Sequence, residues 1–100
     1  MYTENRRFEW DENKAGLNLD KHGITFKEAT TVFDDPNGLL AGDPAHSGQE
    51  PRFWLIGESS DSRLIVVVFT LRRESIRIIS ARPAGWKERA HYEQNRRIPV

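Results

Sequence analysis

The chain reads as an α+β protein. Apolar residues recur at helical spacing in its first third, three β-rich runs follow one another after residue 51, and an amphipathic segment closes the chain beyond a Pro/Gly break. This order predicts an antiparallel sheet with two N-terminal helices and one C-terminal helix, β-α-α-β-β-β-α, with an optional extra edge strand. A chain of 100 residues can bury only about two thirds of its unfolded surface, enough for one core, so residues 1–100 are expected to form a single domain.

Residues 8–10 alternate briefly, and Asp11 after them suits a helix cap. A helix is predicted over 11–21, with an acidic start, Lys21 near its end and Gly23 beyond as a left-handed stop. Thr25 and Glu28 read as a capping box, each side chain satisfying a backbone donor at the start of a second helix that runs to about Phe33. Phe26, Ala29, Val32 and Phe33 recur at helical spacing and face a core. The run Asp34-Asp35-Pro36-Asn37-Gly38 ends that helix, and 39–50 reads as a loop with room for one edge strand. Strands follow at 52–59, 64–71 and 75–82, joined by turns short enough for antiparallel hairpins. The middle one is apolar on both faces and belongs at the centre. Pro83 and Gly85 interrupt the sheet, and 86–96 forms the last helix. In this arrangement the helices cover one sheet face and leave the other partly open.

Composition excludes several function classes. With 37% hydrophobic and 30% charged residues the chain is polar yet too apolar to be disordered. No apolar run approaches the roughly 18 residues of a membrane span, and Met1 to Arg7 lack the apolar stretch of a signal peptide, so a soluble, cytoplasmic protein with no membrane partner is expected. Zero cysteines remove disulfides and thiolate chemistry, and His22, His46 and His91 are too dispersed for a ligand set; no metal and no cofactor are expected. The zero net charge conceals an asymmetry. Residues 1–50 carry five Lys+Arg against ten Asp+Glu, minus five; residues 51–100 carry ten against five, plus five. Nine of those ten later cations are arginines, whose planar fork matches phosphate or carboxylate. The competing explanation is that the two halves fold together and neutralise each other.

Alternation assigns the strand faces. Phe53, Leu55 and Gly57 share one side; Arg52, Trp54, Ile56 and Glu58 share the other. Arg77 projects from an otherwise apolar run and needs a partner. Ideal alternation puts Arg82 on the side opposite Arg77, unless the strand ends at Ala81 and frees it. Arginines, an aromatic and one carboxylate on one face make a cradle for a phosphodiester: Arg and Lys hold the phosphate, an aromatic stacks a base and Glu moves a proton. The bland alternative is a solvated face with Arg52 and Glu58 as a charge pair. Lys14 and Lys21, seven residues apart, share one side of the first helix beside His22. Trp54 and Trp86 are candidate anchors for a protein partner, although Trp86, like Tyr92, reads more readily as core.

The string Phe8-Glu9-Trp10-Asp11-Glu12-Asn13-Lys14, then Asn18, Lys21-His22-Gly23 and Phe26-Lys27-Glu28-Ala29, resembles the start of the BrnT toxin family. The resemblance continues through Val32-Phe33-Asp34-Asp35-Pro36, Arg52-Phe53, Ile56-Gly57, Arg77-Ile78-Ile79-Ser80-Ala81-Arg82, Glu88-Arg89 and Tyr92. It implies the toxin of a type II toxin-antitoxin system with a compact RelE-like fold, a metal-independent endoribonuclease that cleaves RNA and inhibits translation. Its implied partner is a BrnA-like ribbon-helix-helix antitoxin, with operator DNA reached only through that antitoxin. Carried over by position, His22, Arg52, Arg77 and Arg82 are the catalytic candidates and Lys14 and Lys21 substrate-binding ones, to which the strand-face reading adds Trp54 and Glu58. The arginines take the charge-stabilising role, and His22 that of acid or base, since histidine is the side chain that ordinarily titrates near neutrality. Two positions depart from the family pattern: Phe69 stands where relatives often have His or Tyr in the cleft, and Gly85 where a Ser or Thr cap is common, leaving the last helix loosely started. The rival functions are a non-catalytic RNA- or antitoxin-binding module acting in operon regulation and, last, a DNA-binding regulator acting alone.

Overall fold

A computed structural model describes residues 7–43 and 50–96. The leading residues and part of the expected 39–50 loop, 44–49 with His46, lie outside the described residues. The elements run β1 (Arg7–Glu9), α1 (Glu12–His22), α2 (Phe26–Thr31), a 3-10 turn (Val32–Asp34), β2 (Leu39–Gly42), β3 (Arg52–Glu58), β4 (Leu64–Arg72), β5 (Ser75–Pro83) and α3 (Trp86–Arg96). The optional edge strand is β2. The five strands lie in the order β1-β5-β4-β3-β2, with apolar β4 at the centre. All pairings are antiparallel except β1 on β5, so the sheet is mixed.

Local chemistry accounts for the ends. The Asp11 carboxylate accepts from the Lys14 backbone N–H at 3.1 Å and caps α1, whose other end stops at Gly23 with φ +70°. Thr25 caps α2 through the Glu28 N–H at 3.0 Å. Only half of the expected capping box forms. The Glu28 carboxylate does not return to Thr25; it accepts from Ser59 Oγ at 2.7 Å and from the Arg63 guanidinium, pinning α2 to the β3–β4 hairpin. A buried carboxylate gains more from a guanidinium than from one amide.

One sheet face carries the core. Leu55, Ile65, Val67, Phe69, Ile78 and Ala81 pack against Ile24, Phe26, Ala29 and Val32. An aromatic chain runs from Phe8 through Phe33 and Phe69 to Phe53, with centroids 5.2, 5.0 and 5.5 Å apart. Phe69 is therefore core, on the side away from Arg52, and not a cleft residue. Gly57 lets the 3-10 turn approach β3: a Cβ there would sit 2.8 Å from Val32 Cγ1 and 3.2 Å from Asp35 Oδ2.

The helices do not share one face as expected. α1 lies along the edge of β5 beyond the reach of three-residue β1. There the buried Asn18 side chain acts as a strand, accepting from Ala81 N at 3.1 Å and donating to Ala81 O at 2.8 Å and Ile24 O at 3.1 Å. α3 crosses the second face, where its Glu88 holds Arg82 and its His91, Gln94 and Asn95 share a groove with Leu39. Buried Tyr92 donates to Asp35 Oδ2 at 2.6 Å. Trp86 is 78% exposed, contrary to its core reading: it is the first residue of α3, before the helix reaches the sheet.

Candidate functional site

The second face reads as rows across the register. Arg52, Thr70 and Arg77 form one; Trp54, Val68 and Ser80 the next; Ile56, Val66 and Arg82 the third. Arg77 and Arg82 thus share a face, against ideal alternation. A bulge between Val68 and Phe69 is the cause: Val68 pairs with Ser80 and Phe69 with Ile78, so Ile79 is an extra residue in β5 and the parity of the strand switches there. Neighbouring strands are about 4.8 Å apart, which puts Arg52 and Arg77 about 10 Å apart along their row.

Between α1 and this face runs a groove of about 350 Å³, lined by Lys14, Leu17, Asn18, Lys21, His22, Arg52, Ile79 and Ser80. Four of the candidates meet here: Lys14, Lys21, His22 and Arg52. Lys14, Asn18 and Lys21 fall on one helical stripe, and the Asn18 bonds to Ala81 lock that stripe beside β5. Among the described residues no carboxylate lines the groove, and none hydrogen-bonds or ion-pairs with the side chains of Lys14, Lys21 or Arg52; Asp11 caps α1 through the Lys14 backbone N–H.

The other candidates stand apart from the groove lining. Arg77 is bound by Glu9, its in-register neighbour on β1, at 3.1 Å; Glu9 also accepts from Ser75 Oγ at 3.2 Å. Arg82 makes a two-pronged pair with Glu88 at 2.8 and 2.6 Å. That pair, opposing the effect of burial and aided by the Gly85 N–H at 2.7 Å, lowers the Glu88 carboxyl to about 2. Glu88 reaching back to Gly85 is the carboxylate half of a capping box, so α3 is not loosely started. Glu58 does not pair with Arg52. It sits six residues along the same strand, against Asp34, Asp35 and Ser59, where its backbone N–H donates to Asp35 Oδ2 at 2.8 Å. Burial pushes the Asp35 carboxyl up, but the Glu58 and Asn37 N–H groups and the Tyr92 hydroxyl outweigh it and hold Asp35 below its usual range. Trp54 lies on the Arg52 face, but its indole N–H is enclosed, without a hydrogen-bond partner among the described residues.

Sequence reasoning missed Leu17, Ile79, Ser80 and the locking role of Asn18. Asn18 was legible as the residue between Lys14 and Lys21 on one helical stripe; Ile79 depends on the bulge, which left no mark in the pattern.

A groove lined by Lys14, Lys21, His22 and Arg52, on a small mixed sheet flanked by three helices, places the chain among small α+β domains. The family is set by comparison: the model of the "Ribonuclease toxin, BrnT, of type II toxin-antitoxin system" family matches residues 10–88, and the chain belongs to that family. Its structure is similar to the crystal structure of the Brucella abortus ribonuclease toxin BrnT, with a TM-score of 0.63 and 26% sequence identity over 80% of this chain and 97% of that one. A comparison with curated proteins found no match. Membership of a type II toxin family carries with it an antitoxin partner and an RNA target. Among the described residues no helix is long and apolar enough to cross a membrane.

Proposed function

We propose that this chain is a metal-independent, RelE-like endoribonuclease that acts in the cytoplasm, cleaves RNA and thereby inhibits translation, and that a BrnA-like ribbon-helix-helix antitoxin neutralises it and carries it to operator DNA. The observation that carries the reading is the groove, where the side chains of Lys14, Lys21 and Arg52 stand beside His22 without carboxylate partners among the described residues. Cleavage without a metal needs the 2′-hydroxyl activated, the pentavalent phosphate stabilised and the leaving oxygen protonated. In this reading Arg52 and the two lysines hold the phosphate, and His22 moves the proton. Arg77 and Arg82 enter with a carboxylate each already bound, so Arg52 takes the larger share of charge stabilisation.

Purified protein freed of antitoxin should degrade RNA in the presence of a chelator, and Arg52→Ala should abolish this while leaving the fold intact. RNA that survives the wild-type protein but shifts in a gel favours the second reading, an RNA- or antitoxin-binding module without chemistry. The two internal ion pairs that occupy Arg77 and Arg82 speak for that alternative.

A further inference from the structure

The geometry points to a nucleobase step in the groove: Leu17 of α1 and Ile79 of the β5 bulge form an apolar seat for one unpaired base, while the cations around them take the flanking phosphates. This rests on the reading that RNA is the ligand, and adds which residues touch a base.

Leu17 is 68% exposed, on a helix whose buried side chain is Asn18. It lies three residues after Lys14 and four before Lys21, so the helix stripe reads cation, apolar, cation. Ile79 faces it from the other wall because the bulge makes it the unpaired extra residue of the ladder. Neither belongs to the core cluster. Bulges beside functional sites re-aim side chains, and this one delivers an aliphatic group into a cationic groove. A nucleotide has the matching pattern, a flat apolar base beside an anionic phosphate. The groove volume, about 350 Å³, falls in the range of roughly 300–1,000 Å³ typical of small-molecule sites. Trp54, the aromatic expected to stack a base, does not line it. A base inside a duplex is covered on both faces, so only an unpaired nucleotide can use the seat, and apolar side chains serve such bases as aromatic ones do.

Binding to a single-stranded 2′-O-methyl RNA octamer, which cannot be cleaved through its 2′-oxygen, tests this by fluorescence anisotropy at low salt. Octamers carrying one abasic unit at each position in turn should include one that binds wild-type protein roughly tenfold more weakly, the order expected for a single stacked base. Leu17→Ser and Ile79→Thr should bind the intact and abasic octamers alike, and Leu17→Phe should restore the discrimination. Because Leu17 is exposed, Leu17→Ser is expected to keep the wild-type circular dichroism and melting temperature even if Ile79→Thr disturbs the bulge. Undiminished discrimination in folded Leu17→Ser would overturn the inference, as would a wild type for which no abasic position matters. A wild type that discriminates between octamers yet leaves ordinary RNA uncut would sink the nuclease reading and leave the base seat standing.

Discussion

Arg52 and Arg82 are the same side chain on the same face in opposite circumstances. Arg52 has no carboxylate partner among the described residues, so Arg52→Ala is expected to change stability by no more than about 0.5 kcal/mol while removing RNA cleavage. Arg82→Ala leaves the Glu88 carboxylate without its pair and should cost about 1 kcal/mol, a fall of roughly 4–8 °C in melting temperature for a chain of this size. Calorimetry and an RNA gel on both variants check this; equal melting losses would refute it. Glu88 also sets an acid limit. Its folded carboxyl, at about 2, lies below the ordinary 4.5, so its contribution is complete above about pH 4.5 and drains as pH falls towards 2. Glu28, lowered foremost by its hydrogen bonds with Arg63, and Asp35 act in the same direction. Urea midpoints should be level from about pH 7 to 5 and drop below that. Glu88→Gln should start lower and lose less on acidification.

At the scale of elements, much was legible. The hairpins, central β4, the α1 caps and the final helix all follow from local chemistry that the sequence displays. What was not legible depends on partners distant along the chain. The Glu28 carboxylate had a nearby amide to satisfy and was taken instead by Arg63, 35 residues away. Period-two reasoning left the side of Arg82 open, because an inserted ladder residue at Ile79 changes no composition or spacing that a single sequence shows. The groove cations Lys14 and Lys21 were visible as one stripe, but their neighbour Arg52 meets them only through the Asn18 lock. Removing that lock exposes its worth: Asn18→Ala strands the Ala81 N–H and C=O in a buried position and should cost about 2–3 kcal/mol by urea unfolding. Gly57→Ala tests the other close approach. Its Cβ would meet Val32 and Asp35, and overpacking of this kind costs about 1–3 kcal/mol; an unshifted urea midpoint would mean that the 3-10 turn gives way freely.

For the whole molecule, the charge asymmetry resolves into pairs between the two halves. Glu9 holds Arg77, Glu28 holds Arg63, and Glu50 holds Arg72 at 2.6 Å. The acidic first half thus neutralises three of the ten cations of the second, and the cations in the groove are two lysines from the acidic half and Arg52. With three phosphates neutralised, the logarithm of RNA affinity should fall with the logarithm of salt at a slope of about −2, and Arg52→Ala should flatten it by about 0.7. A slope unchanged by that substitution would place the phosphates elsewhere.

The two walls of the groove are joined by Asn18 and Ala81, 63 positions apart. The α1 cations therefore gain an opposing wall only when β5 is in place: a fragment that stops short of Ala81 carries Lys14 and Lys21 with no groove for them to line.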